Sequence, residues 1–218
     1  MHTITLLGER APVRVGKILC LARNYVAHAH ELGNEVPTDP VLFSKPSSSI
    51  VKSGENVVIP AYSHDCHYEA ELAVLIGDTG KDVTPEEAMA LVCGYGVALD
   101  MTLRDTQAQL KSKGYPWDLA KGFDTSCPLS DFVRAAAVAD PHELQIQLEV
   151  NGVLRQDGNT NCMIQRIPEI LAFISRAFTL EPGDIVLTGT PAGVGQVIAG
   201  DRMRVCISEV GVLEVGVK

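Results

Sequence analysis

The chain has 218 residues, within the range of one large domain with its own core, and a net charge of −9. Its hydrophobic fraction of 46 % and charged fraction of 21 % are those of a soluble globular protein, and aromatics at 5 % leave the core to Val, Leu, Ile and Ala. A nucleic-acid or anionic-membrane partner is not expected for so acidic a chain, and no apolar run reaches the roughly 18 residues of a bilayer span.

The opening Met1-His2-Thr3-Ile4-Thr5 lacks a basic region followed by a long apolar core, so no signal peptide and a cytoplasmic location are expected. Short runs rich in Val, Ile and Leu, bounded by Gly, Pro, Asn or Asp, predict strands at 17–22, 41–44, 56–59, 69–76, 95–100, 144–150, 184–188, 202–208 and 212–217. Asn151-Gly152 between two such runs predicts a type I′ hairpin, because both residues tolerate positive φ. Helical pattern is scarcer. Residues 23–33 are helix-compatible and stop at Gly33; 85–92 begins with Thr84 as N-cap and Pro85 at the first position. Residues 102–112 form another helix, and 168–178 places Ile170, Leu171, Ile174 and Phe178 on one stripe. The expected fold class is mostly β with flanking helices (α+β), because regular βαβ alternation is absent. Six scattered cysteines without a CxxC pair read as buried free thiols of a reducing compartment.

Charged residues at regular spacing carry the chemistry. Glu69 and Glu71 are two apart in an apolar strand, so their carboxylates share a face. Alone, the pair reads equally as a hydrated sheet edge. Asp100 closes a second apolar run containing glycines, and Arg104 and Gln107 follow at four and seven residues, on one side of the predicted helix. The plain alternative is a solvated face with an Asp100–Arg104 pair. Three hard oxygen ligands without a thiolate suit Mg2+ or Mn2+ better than zinc. His28 and Glu31, three apart on a helix, form a pair in which the carboxylate would fix the imidazole tautomer; a surface pair is the bland reading. The proline-bearing residues 34–40 that follow could act as a lid. His64, Cys66 and His67 suggest a rival zinc site without a second Cys/His pair; alternatively, His67 stands behind the carboxylates. Thr188-Gly189-Thr190-Pro191-Ala192-Gly193-Val194-Gly195 is a glycine-rich turn, not a P-loop, whose N–H groups could hold a carboxylate. Lys121 is either a cation for a substrate anion or a surface lysine.

The stretches Ala22-Arg23-Asn24-Tyr25, Leu42-Phe43-Ser44-Lys45-Pro46-Ser47, Tyr68-Glu69-Ala70-Glu71-Leu72, Ala98-Leu99-Asp100-Met101-Thr102-Leu103-Arg104-Asp105 and 187–195, taken in order, resemble the fumarylacetoacetate hydrolase family. The branch most similar is that of small single-domain acylpyruvases and oxaloacetate decarboxylases. The resemblance implies a mixed β-sandwich roll, with a short N-terminal segment over 1–16 and one catalytic domain over 17–218, usually in a homodimer. It implies Mg2+ or Mn2+ on Glu69, Glu71 and Asp100, a water-activating dyad of His28 and Glu31, and Lys121 as a further catalytic residue. Arg23, Arg104, Gln107 and Thr190 match substrate-binding positions. The implied activity is cleavage of a carbon–carbon bond in acylpyruvates to pyruvate and a carboxylic acid, with possible decarboxylation of oxaloacetate, in aromatic catabolism. The alternatives are an isomerase or tautomerase of unsaturated 2-oxo acids, or a catalytically silent dicarboxylate binder.

Overall fold

The computed structural model describes residues 2–33 and 35–218. Its frame is a mixed eight-stranded sheet in the order Val41–Lys45, Ile18–Ala22, Ile185–Leu187, Ala70–Ile76, Val92–Leu99, Cys127–Leu129 and Ile50–Lys52, with Val133–Arg134 also on Val92–Leu99. Pairing is parallel between Ile185–Leu187 and Ile18–Ala22 and between Cys127–Leu129 and Ile50–Lys52. The central strand Ala70–Ile76 is buried at every position because both faces of the sheet are covered. Leu72, Val74 and Ile76 enter one core, while Ala73 and Leu75 enter a smaller one with Ile4, Leu6 and Phe132.

The larger core lies beneath a five-stranded sheet ordered Val153–Asn159, Gln145–Val150, Arg202–Ile207, Gly211–Val217 and Asn56–Val57. Gln145–Val150 and Arg202–Ile207 alternate exposed and buried residues, as strands with one wet face should. Asn151 and Gly152 have φ of 53° and 76°, the left-handed pair that a type I′ turn demands. This is the mostly-β, helix-flanked fold expected, with all nine predicted strands in place.

Element ends differ from expectation for local reasons. The helix expected over 85–92 is Pro85–Ala88, with a capping box between Thr84 and Glu87, then one 3-10 turn, Met89–Leu91. Val92 already pairs with Ile76. The helix expected over 102–112 starts at Arg104, because Thr102–Leu103 pairs antiparallel with Cys66–His67. Asp100 is therefore not on that helix. In Ile167–Ala177 the stripe Ile170, Leu171 and Ile174 is buried, but Phe178 is the C-cap in extended conformation and swings outward. The thiols are all free, yet only Cys20, Cys66 and Cys127 are buried; Cys93 and Cys206 are half-buried and Cys162 is exposed. Met1, part of the expected leaderless start, lies outside the described residues. Among the described residues no helix is long and apolar enough to cross a membrane.

Leu72 is fully enclosed between the two sheets. Leu72→Ala should lower the unfolding free energy by about 2–5 kcal/mol, read as an earlier midpoint in urea denaturation.

Candidate active site

Antiparallel pairing aligns Ala70 with Leu99 and Glu71 with Ala98. One step beyond, the Asp100 N–H donates to the Glu69 carbonyl at 2.8 Å. The strand breaks at Glu69, between Cys66–Tyr68 and Ala70–Ile76. Glu69, Glu71 and Asp100 thus converge at one end of the strand pair, each with an oxygen within 4.8 Å of the others. Their exposures of 4 %, 2 % and 1 % rule out the hydrated edge.

Three cations answer these acids. Lys121 Nζ donates to Glu69 Oε2 at 2.8 Å, Asp100 Oδ2 at 2.5 Å and Thr102 Oγ1 at 2.6 Å. At 3 % exposure it is no surface lysine. Arg104 pairs with Glu69 Oε1, not with Asp100, and its Nη1 donates to Gln107 Oε1 at 3.0 Å. The third is Lys45, to which the sequence reading gave no role. Its Nζ lies 2.8 Å from Asp100 Oδ1 and also donates to the carbonyls of Met101, Ser126 and Lys121. The available signal was a lone lysine closing an apolar run just before Pro46.

Burial raises Glu69, but Arg104 and then Lys121 outweigh it and hold the carboxyl well below the usual carboxylate range. Glu71 goes the other way. Burial, then Asp100 and Glu69, push it well above that range. Among the described residues no cation lies within ion-pair distance of Glu71; its Oε2 accepts the Gly189 N–H at 2.6 Å. Burial would depress the Lys121 ammonium, yet Asp100 and Glu69 raise it. Three hard oxygen donors, one of them short of positive charge, fit Mg2+ or Mn2+.

The helix Val26–Glu31 brings in the imidazole. His28 is buried and His30 exposed, as their spacing implies. His28 Nδ1 lies 3.3 Å from Glu31 Oε2, and Glu31 Oε1 accepts the Gly193 N–H at 2.9 Å. The glycine-rich turn therefore holds two of the protein's own carboxylates, through Gly189 and Gly193. Gly193 has φ +100°, and a Cβ there would collide with the Arg155 carbonyl. Thr190 is buried, and Gln156 fixes it. Gln156 Nε2 donates to Thr190 Oγ1 and the Pro191 carbonyl at 2.8 Å each, while its Oε1 accepts the Ala70 N–H at 3.0 Å. With the Thr190 oxygen accepting, its proton is left to donate elsewhere. Gln156, buried within a hairpin strand, was invisible to motif reading.

Nine of the ten residues expected from sequence line one narrow recess that opens to solvent: Arg23, His28, Glu69, Glu71, Asp100, Arg104, Gln107, Lys121 and Thr190. Glu31 stands behind His28. Of the expected lid, Asn34 lies outside the described residues; Pro37, Asp39 and Pro40 border a smaller recess with Arg23 and Asn24. The rival zinc site does not form. Cys66 turns into the core, and His67 Nε2 is taken by Asp65 Oδ1 at 2.9 Å. Among the described residues the three carboxylates are the one group that could hold a metal ion. His67 stands near Arg104, and its imidazole is lowered by burial and then by that guanidinium.

The fumarylacetoacetate (FAA) hydrolase C-terminal model matches residues 17–218. Mitochondrial oxaloacetate tautomerase FAHD1 of Bos taurus is 48 % identical over 187 residues, 86 % of this chain and 85 % of that protein. Oxaloacetate tautomerase YcgM of Escherichia coli is 47 % identical over 192 residues, 88 % of each. The crystal structure of fumarylpyruvate hydrolase from Pseudomonas aeruginosa in complex with Mn2+ and pyruvate matches with a TM-score of 0.94 at 38 % identity, over 99 % of this chain and 94 % of that one.

Two outcomes are expected at this floor. A raised Glu71 favours its protonated form in the metal-free fold. That contribution to stability is full below the ordinary carboxylate range and is lost as pH rises through the elevated value. Loading Mg2+ or Mn2+ should therefore release protons, measured by calorimetric titration in two buffers of different ionisation heat. Asp100→Asn should cost about 3–5 kcal/mol of stability in chemical denaturation, because Lys45 loses its buried counter-charge, and adding Lys45→Met should recover part of it.

Proposed function

Because this chain belongs to the fumarylacetoacetate hydrolase family, we propose that it is a Mg2+- or Mn2+-dependent enzyme that forms and protonates the enolate of a small 2-oxo acid. One observation carries the reading: an imidazole held by Glu31 faces the same buried recess as three convergent carboxylates. Keto–enol tautomerisation of oxaloacetate is the reaction favoured by the relatives at 47–48 % identity. Hydrolysis of acylpyruvates is the second reading, favoured by the fold match to a fumarylpyruvate hydrolase crystallised with pyruvate. Each passes through an enolate at the carbon next to the 2-oxo group: that of oxaloacetate itself in tautomerisation, and that of pyruvate in hydrolysis and in loss of CO₂ from oxaloacetate.

Glu69, Glu71 and Asp100 would hold the ion, which when bound supplies Lewis acidity at the 2-oxo oxygen. Everything else is done by side chains. Glu31 accepts the His28 Nδ1–H, which leaves the Nε2 lone pair free to take up a proton and give it back. In tautomerisation His28 removes or returns the proton on the carbon next to the 2-oxo group. In hydrolysis His28 takes a proton from water as the water attacks the distal carbonyl, and the carbon–carbon pair leaves on the pyruvate fragment. Lys121 and Gln107 balance the charge that develops, and Arg104 orients the acid. The Thr190 hydroxyl, its oxygen occupied by Gln156, donates to the substrate carboxylate. A homodimer in the cytoplasm, without nucleic-acid or membrane partners, completes the proposal.

His28→Ala should lower turnover of enol-oxaloacetate and of acylpyruvates by about 10²–10⁴-fold while leaving Mg2+ affinity in place. Stopped-flow absorbance of the enol and calorimetric titration of the ion measure the two. Full activity in that variant would refute the base.

A further inference from the structure

Residues 163–166 connect the 3-10 turn Thr160–Cys162 to the helix Ile167–Ala177, and they grip the chain that enters the recess. Met163 forms an antiparallel bridge with Tyr25, and the Ile164 N–H donates to the Asn24 carbonyl at 2.8 Å. The Asn24 side chain is buried. It accepts the Gln165 N–H at 2.7 Å and donates to the carbonyls of Gln165 and Thr188 at 2.9 Å each. Asn24 and Tyr25 stand between Arg23, which lines the recess, and the helix Val26–Glu31, which carries His28. Arg23 has φ 58°, a left-handed conformation that a residue with a Cβ keeps only where its surroundings hold it.

The chain just before the strand Gln145–Val150 anchors both ends of 163–166. At one end the Leu144 N–H donates to Thr160 Oγ1 and the Thr160 N–H to the Leu144 carbonyl, at 2.9 Å each. At the other the Ile167 N–H donates to His142 Nε2 at 3.1 Å. Ile167 opens its helix, the N-cap Arg166 gives no side-chain bond, and Pro168 has no N–H. The imidazole is therefore what caps this helix.

That bond exists in one protonation state only. Accepting an N–H at Nε2 requires the lone pair there, so the neutral ring carries its proton on Nδ1, 3.4 Å from Asp140 Oδ1. A second proton would set N–H against N–H and place positive charge at a helix N-terminus, beside Arg166. The charged groups facing the ring are Asp140 from its own loop and Arg166 and Glu169 from the helix. Burial is the largest influence and, with Arg166, outweighs the two acids, so the imidazole is lowered. Its contribution to stability is then full above the ordinary imidazole value and is lost as pH falls through the lowered one.

We propose that His142 is an acid-sensitive latch on the site: protonation of Nε2 frees the helix N-terminus, and residues 163–166 then loosen their hold on Asn24 and Tyr25, and so on Arg23 and the helix that carries His28. The Leu144–Thr160 end does not titrate, so one end of the segment stays anchored while the other opens.

Amide hydrogen exchange read by mass spectrometry, corrected for the intrinsic effect of pH, tests the latch without turnover, so its outcome is separate from that of the reaction proposed above. Between about pH 7.5 and about pH 5, wild-type peptides covering 163–170 and 23–31 should open about 10-fold more often, and the strand Arg202–Ile207 should not change. His142→Gln, whose amide oxygen accepts the Ile167 N–H at any pH, should abolish both responses. His142→Leu should leave both regions open at either pH. Should neither variant fold, the wild type still decides: exchange of 163–170 must follow the His142 imidazole titration seen by NMR. Exchange unaffected by pH in the wild type, an acid response that survives in His142→Gln, or opening of 163–170 without 23–31 overturns the latch.

Discussion

The site depends on charge compensation at the dry end of one strand pair. Three carboxylates enter a sheet whose neighbouring positions are Ala, Leu and Val, where an uncompensated charge would cost several kcal/mol. Arg104 and Lys121 meet Glu69; Lys121 and Lys45 meet Asp100. Glu71 alone is left with a backbone N–H. The asymmetry decides the chemistry. Arg104 and Lys121 hold Glu69 well below the usual carboxylate range, whereas burial outweighs Lys121 and Lys45 at Asp100 and raises it, and burial with the neighbouring acids raises Glu71 well above that range. Lys45 does more than neutralise, since its bonds to the Met101, Ser126 and Lys121 carbonyls tie the loop beneath Asp100 to the end of the helix that carries Lys121.

Backbone register is the second constraint. Because Ala70 faces Leu99, Glu69 and Asp100 become neighbours although 31 positions apart in the sequence. Because the strand breaks at Glu69, that side chain leaves the sheet plane toward Arg104 and Lys121. Gln156 then joins the Glu-Ala-Glu strand to the Thr190 turn by using both ends of one amide. An apolar residue there would leave the Ala70 N–H and Pro191 carbonyl without these partners.

Legibility from sequence followed period and chemistry. Long apolar runs and the Asn151-Gly152 turn announced themselves, because alternation and positive φ leave strong signatures. The three-residue strands Cys66–Tyr68, Cys127–Leu129 and Gly195–Val197 are too short to show a repeated alternation and went unread. Glu69, Glu71, Asp100, His28 and Glu31 stood out as charges in apolar or helical settings. Lys45 and Gln156 did not, since a buried polar residue that serves another looks in sequence like an ordinary surface one. The Asp100–Arg104 spacing misled: i,i+4 matters only on a continuous helix, and Thr102–Leu103 is strand.

The position of His28 follows from the same turn that positions the acids. Val26–Glu31 is six residues long, too short to persist alone. Tyr25 and Ala29 anchor it by burial, and Glu31 anchors it by accepting the Gly193 N–H. Gly189, four residues earlier, holds Glu71, and Thr190 lies between them in the chain. A single glycine-rich turn thus sets three things at once: Glu71, the acid that lacks a cation, the Thr190 hydroxyl at the recess, and the carboxylate of Glu31 beside His28. Glycine is required at both N–H donors because φ lies near +93° and +100° with Asn24 and the Arg155 carbonyl in close approach. The glycine-rich turn therefore links the His28–Glu31 pair to the three-carboxylate floor, through the Gly193 N–H on Glu31 and the Gly189 N–H on Glu71.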